Sequence, residues 1–292
     1  MSVLVTGATG NVGSQVVRAL LARGEAVRAL VRDAGRAGAR LGDGAELVVG
    51  DLSDPDSVRR ATAGVDRVFL SSADGPDKVA HEAAVADAAA AAGVRLVVKA
   101  STILAEPGSP LPPLDWNGRS EERLRRSGAP FTLLRSGFYM TNLLMAADQV
   151  RADGSVFAPA GDARIAMIDP RDIGDVAAVV LTEPGHAGRT YRLTGGEAIS
   201  YGEVAAELSR ATGAHIRHVD VPEPAARAGL EAAGMPDWLV EHLVGLFRLI
   251  RAGGLAEATG DVRLVLGRDP RGFARFADEY ADAFSPAGVA SR

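Results

Sequence analysis

Three glycines stand at even spacing in the stretch VLVTGATGNVG, residues 3–13: Gly7, Gly10 and Gly13. A chain that gives up three side chains in one turn makes room for a partner. When a strand runs into such a turn and then into a helix, each glycine has its own task. The first allows the tight turn, the second lets backbone approach a pyrophosphate, and the third lets helix and strand pack closely. Backbone N–H groups at the helix start, with the positive end of its dipole, then hold the anion. Thr9, Asn11 and Val12 lie in the same turn and are counted with it. The chemistry that fits is binding of a nicotinamide dinucleotide.

The end of the second strand selects between the two forms of that cofactor. An acid there bonds the ribose 2′-hydroxyl, whereas an arginine accommodates a 2′-phosphate. The segment reads LVRD, with Arg32 ahead of Asp33 and Arg28 four residues earlier. Arg32 as phosphate partner gives NADPH as the preferred cofactor, with NADH possible. In the other reading, Arg28 and Arg32 are solvated edge charges and Asp33 takes the ribose. Asp51 and Leu52, in GDL after the third strand, are placed to meet an adenine amino group and ring. Ser71 and Ser72 end the fourth strand, near the expected ribose and nicotinamide.

Further candidates bear on the reaction itself. Ser101, at the end of the fifth strand, either polarises a bound carbonyl or caps the strand. Lys99, in the same apolar strand, either pairs with a carboxylate or reaches solvent. Tyr139, in SGFYMTN, is the best substrate-side donor. Phe138 and Met140 beside it would wall a flat ring, unless they simply pack a core. Gly137 permits close backbone approach to the nicotinamide, and Asn142 reaches the same pocket. The five histidines are scattered, so no metal site is expected. In IDPRDIGD, Asp172 is expected to cap a helix and Asp169 to shape its turn.

These residues need a scaffold. Residues 1–100 alternate apolar strands with helical patterns, which argues for βαβ units around a parallel sheet. The helices stop at glycine, as at Gly24, Gly64 and Gly93. A segment with four prolines between 107 and 113 reads as a loop, followed by a polar helix, WNGRSEERLRRSG, and a strand, PFTLLRS. Farther on, Ser200 and Glu203 form a capping box. The last stretch, 222–284, is mostly helical, with Trp238, Leu239, Leu243, Leu246, Phe247 and Ile250 at helical spacing. Core, lid and dimer face are the three readings of that run, with core the default. The fold class is α/β: a Rossmann-type doubly wound parallel sheet with helices on both faces and a smaller α+β C-terminal domain. Residues 1–150 form the cofactor domain. Residues 151–292 form a smaller substrate-binding portion, some of whose segments return to the sheet.

Composition sets the outer limits. The 292 residues are 47% hydrophobic and 24% charged, with a net charge of −5 and no cysteine. Disulfides and thiolate chemistry are excluded, and nothing resembles the basic stripe of a nucleic-acid binder. The first strand begins near residue 3 and no apolar run reaches about 18 residues. The expectation is a cytoplasmic protein with a small-molecule substrate, no nucleic acid and no membrane contact, as a monomer or homodimer.

TGATGNVG, VRALVRD, GDL, PFTLLRSGFYMTN and GRTYRLTGGEAISYGEVAAELSRATG occur here in an order and spacing that resemble the NmrA-like branch of the atypical short-chain dehydrogenases. The likeness extends to bacterial NAD(P)H:quinone oxidoreductases and covers almost the whole chain. It implies NADPH along the sheet and a substrate cleft between the two domains. It also implies a departure. The wider superfamily uses Tyr-x-x-x-Lys on the helix after the fifth strand, and here that helix has neither residue. Arg119 occupies roughly the place of the lysine; it can bond a ribose or phosphate but not supply a proton. A quinone-like acceptor, whose reduced anion is stable, tolerates that loss. The expected activity is therefore hydride transfer from NADPH to a quinone or similar flat conjugated acceptor. The alternatives are a non-catalytic NADP(H)-sensing regulator and a tailoring reductase of secondary metabolism.

Overall fold

The computed structural model describes residues 1–285. In chain order it runs β1 (Ser2–Val5), α1 (Gly13–Ala22), β2 (Ala26–Val31), α2 (Ala34–Leu41), β3 (Glu46–Val49), α3 (Pro55–Thr62), β4 (Arg67–Leu70), α4 (Lys78–Ala91), β5 (Leu96–Thr102), α5 (Pro112–Ser127) and β6 (Phe131–Ser136). A 3-10 helix (Met140–Ala146), α6 (Ala147–Asp153), β7 (Ser155–Phe157), β8 (Arg164–Ile165), α7 (Pro170–Thr182) and β9 (Thr190–Leu193) follow. The chain then forms β10 (Ile199–Ser200), α8 (Tyr201–Thr212), β11 (Arg217–Val219), α9 (Glu223–Ala232), α10 (Asp237–Arg251), α11 (Asp261–Leu266), α12 (Phe273–Glu279) and α13 (Ala281–Phe284).

The chain builds two units that interleave along the sequence. The first holds Met1–Ser136, Pro170–Leu193 and Asp261–Arg268; the second holds Gly137–Asp169, Thr194–Gly260 and, of the described residues, 269–285. In the first unit a seven-stranded sheet has the order β3-β2-β1-β4-β5-β6-β9. Every pairing in it is parallel. This is the doubly wound order, and it reverses between β1 and β4, where such sheets bind their ligands. The helices cover both faces, with α3, α4 and α5 packed together on one and α1, α2, α7 and α11 on the other.

The reasons are local. In α1, Val16, Val17 and Leu20 are buried along one stripe, and Gly24 follows the helix at φ +75°. Asp54 caps α3 by accepting from the Asp56 N–H, with Pro55 at the first turn. Ala88 and Ala89 of α4 are buried among Val68, Leu70 and Val97, so small side chains let this helix lie close on the sheet. A Cβ at Gly174 of α7 would stand 2.6 Å from Gln15 Cβ, so that glycine sets the approach of α7 to α1.

Three expectations need correction. The proline segment is not loop throughout: α5 begins inside it, with Pro112 and Pro113 at its first positions. Proline suits that place, since its missing N–H would be unsatisfied there anyway. Helix α2 was not expected at all, because AGRAGARL buries only Ala37 and Leu41. Asp172 does not stand ahead of the helix at the N-cap position; it is the third residue of α7, fully buried, with its carboxylate 2.8 Å from Arg268.

The second unit is mixed. It contains a parallel pair, β7 with β11, and an antiparallel pair, β8 with β10. Ser200 and Glu203 form the full reciprocal capping box of α8. Phe276 of α12 stacks on Tyr280 just past the helix end and meets Phe273 in a tilted ring contact. In α10 the buried residues are Val240, Val244, Gly245 and Ile250, so the core face is offset from the run expected; Trp238, Leu239, Leu243, Leu246 and Phe247 are half-buried. No helix among the described residues is long and apolar enough to cross a membrane.

Candidate active site

The glycine turn is a cradle by construction. Gly7 has φ +59°, and a Cβ there would stand 2.8 Å from the Ser71 carbonyl oxygen. A Cβ on Gly10 would come within 3.0 Å of Gly7 O, and one on Gly13 within 2.2 Å of the same atom. The turn closes with Gly10 N–H donating to Gly7 O at 2.9 Å, and α1 starts at once. That helix has no side-chain cap and no acid in its first turn. Its leading N–H groups therefore meet no carboxylate of their own helix, as an anion site requires. Thr9, Gly10 and Asn11 are exposed; Val12 and Gly13 are buried beneath them.

Thr6, not singled out from sequence, joins this turn to the end of β4. Its hydroxyl donates to Ser71 O at 2.7 Å and accepts from Ser71 N–H at 2.9 Å. The two carboxyl ends at the switch point are thus stapled together.

The neighbouring strand ends supply the rest of the groove. Arg32 is exposed after β2; it makes no direct hydrogen bond or ion pair with a described residue, and its charge acts on the nearby Asp51 carboxyl. Asp33 is engaged otherwise, capping α2 by accepting from the Arg36 N–H at 3.0 Å. Arg28 is no solvated edge charge: it donates to Glu46 and to the carbonyls of Ala61 and Ala63. Asp51 Oδ1 accepts from Ser53 N–H and Oγ, bonds that hold its carboxyl below the usual carboxylate range. Leu52 beside it is half-buried.

Below the ends of β4 and β5 lie two buried polar chains. Ser72 Oγ donates to Glu82 Oε1 at 2.9 Å. Glu82, on α4, also meets Lys78 at 2.9 Å and Lys99 at 2.6 Å. Lys99 is fully buried and donates to Asn117 Oδ1 at 3.1 Å. Burial works against the Glu82 charge, but the two ammonium groups overcome it and hold the carboxyl down at about 2. On the next strand, Ser101 Oγ donates to Glu121 Oε1 at 2.7 Å. Arg135 grips both oxygens of Glu121, at 2.9 and 2.6 Å.

Those contacts bear on three of the expectations. Ser101 is buried and its proton is engaged by Glu121, so in this arrangement it does not polarise a substrate carbonyl. Arg119 is 55% exposed and paired with Asp115 one turn back on α5. Lys99 pairs with a carboxylate rather than reaching solvent.

Gly137, Phe138, Tyr139, Met140 and Asn142 belong to the second unit. Backbone bonds tie this segment to Ile168: Ile168 N–H donates to Phe138 O and Met140 N–H to Ile168 O. Gly137, Phe138, Tyr139 and Asn142 are half-buried. Met140 is instead a buried residue, 2% exposed, at the base of a small, partly open pocket that it lines with Met167, Ile199 and Phe273. Of the two readings given for it, ring wall or core, its burial matches core packing. No group of three or more His, Asp or Glu side chains among the described residues is arranged to hold a metal ion.

The profile of the NmrA-like family matches residues 1–266. An NAD(P)H azoreductase from Xenophilus azovorans is 39% identical over 285 residues, covering 98% of this chain and 100% of that one. A (4-alkanoyl-5-oxo-2,5-dihydrofuran-3-yl)methyl phosphate reductase from Streptomyces griseus is also 39% identical, covering 97% and 99%. Among solved structures, the NADPH-dependent quinone oxidoreductase of Escherichia coli in complex with NADPH superposes with a TM-score of 0.86 at 30% identity, covering 95% and 99%.

Proposed function

The chain belongs to the NmrA-like family, and from that premise we propose that it is an NADPH-dependent reductase delivering hydride to a flat, conjugated, electron-poor acceptor such as a quinone. The observation that carries the cofactor half is the glycine cradle, where three Cβ positions are closed by backbone and the helix start is uncapped. An exposed Arg32 beside an engaged Asp33 supports the 2′-phosphate form.

The acceptor half follows from where protons are. When bound, NADPH supplies the hydride; the chain must orient the partners and manage charge on the product. Helix α5 offers neither tyrosine nor lysine, and the Ser101 proton is turned to Glu121. An acceptor that builds up localised alkoxide charge would find little help on this side. One that spreads the charge over a ring or conjugated chain needs only a modest donor, and Tyr139 is the residue assigned to that part. Azo, furanone and quinone groups, the acceptors named for similar proteins, share that property.

Loss of NADPH absorbance, followed with quinones, azo dyes, enones and simple aldehydes, tests the reading. Oxidation with the conjugated acceptors and little with aldehydes is expected. Tight NADPH binding without turnover on any of them would overturn it in favour of a dinucleotide-sensing regulator.

A further inference from the structure

A fully buried lysine in the middle of a sheet requires an explanation. Lys99 of β5 and Glu82 of α4 are 0% and 1% exposed, and their charged atoms meet at 2.6 Å. Stability does not account for them, because a buried ion pair seldom outperforms apolar side chains of the same volume. What the pair does is visible in its third member. Glu82 is acceptor-only when ionised, so Ser72 Oγ, 2.9 Å away, must give it the hydroxyl proton. Lys78 secures the same loop, with Nζ 3.3 Å from Ser72 O and 3.5 Å from Ser72 Oγ.

The arrangement is repeated one strand over. Ser101, Glu121 of α5 and Arg135 of β6 form the same sequence of strand-end serine, buried helix glutamate and cation on the following strand. In that copy the serine is buried, and the chain fastens α5 to the sheet. In the Lys99 copy the serine is half-buried, at the carboxyl end of β4, one residue beyond the Ser71 carbonyl that packs on Gly7.

We propose that Lys99 is a positioning residue for the cofactor: through Glu82 it fixes Ser72 Oγ as a hydrogen-bond acceptor that receives a ribose hydroxyl of the nicotinamide half. With its proton directed inward, Ser72 can only accept from a ligand. A phosphate offers no donor at neutral pH, whereas a ribose diol does. Fixing that hydroxyl fixes the sugar, and with it the ring that must meet the acceptor. This rests on the cofactor reading above.

The test compares Ser72→Ala, Lys99→Met and the double variant with wild type. Three quantities are read: NADPH affinity by titration, kcat and KM with a quinone, and the emission of bound NADPH, which reports how firmly the nicotinamide ring is held. The diphosphate cradle is untouched, so affinity should change by about threefold or less, while kcat falls about tenfold through loss of orientation. Bound-NADPH emission should drop in both single variants. The double variant should be no worse than either, because both remove one interaction. Wild-type kcat and emission in Ser72→Ala, or multiplying effects in the double variant, would overturn the proposal. If Lys99→Met does not fold, Ser72→Ala decides alone. If wild type binds NADPH but reduces nothing, the emission comparison still decides. Failure of wild type to bind NADPH would instead overturn the cofactor reading itself.

Discussion

Arg32 and Asp33 are adjacent and do different work. Asp33 is the cap of α2, while Arg32 stands exposed with no ion pair to a described residue. Arg32→Glu should therefore weaken NADPH about tenfold or more, since it puts a carboxylate where a 2′-phosphate is expected, and change NADH about twofold at most. Parallel titrations with the two cofactors measure this, and equal losses would refute the role of Arg32. The sequence showed this site unevenly. Glycine spacing is a statement about backbone room, and room is what the structure shows at Gly7 and Gly13. Glu82 and Glu121 went unseen because charged residues on helices are ordinarily taken as solvent-facing. A signal existed: Lys78, Glu82, Val85, Ala86 and Ala89 share the buried stripe of α4 at helical spacing. Thr6 was hidden more thoroughly, since its partner Ser71 is 65 residues away.

At the scale of elements, the join of β1 to α1 is the part least free to change. A Cβ on Gly13 meets only backbone, the Gly7 carbonyl and Ala8 Cα, so α1 must move away from the turn to admit it. Gly13→Ala should cost about 1–3 kcal/mol of stability, the range for overpacking a closed site, and weaken NADPH with it. Gly38 in α2 is the contrast. Nothing lies within 4 Å of its Cβ position, so Gly38→Ala should add about 0.5–1 kcal/mol from helix propensity. Denaturant melts of the two variants should move in opposite directions; a shift of the same sign would contradict the cradle geometry. Most strands and helices up to residue 100 were legible because each carries its own period, and α1, α3 and α4 each end at a glycine. Helix α2 was not, since two buried side chains make no stripe. The start of α5 was obscured by prolines that read equally as loop and as first turn.

For the molecule as a whole, the buried ion pairs predict how it responds to acid. Glu82 falls from its ordinary 4.5 to about 2 in the folded state, held there by Lys99 and Lys78 against burial. Glu121 is also held down, its burial outweighed by Arg135 and Ser101. A carboxyl with a lowered folded-state pKa stabilises fully above its unfolded value, and that stability is lost as pH falls through the folded one. Denaturation midpoints should thus decline from pH 4.5 toward about 2, and Glu82→Gln should flatten the slope; an unchanged slope would refute the assignment. The interleaving of the two units was only outlined by the sequence. Strand β9 completes the sheet from residues 190–193, and nothing in its local pattern names β6 as its neighbour. The central claim is that bare backbone beside the start of α1 holds a dinucleotide diphosphate. Calorimetric titration of the folded protein with NADPH tests it most directly: the account predicts one site with a dissociation constant on the order of micromolar, as is ordinary for an enzyme and its cofactor, and no heat of binding at millimolar NADPH or NADH would contradict it.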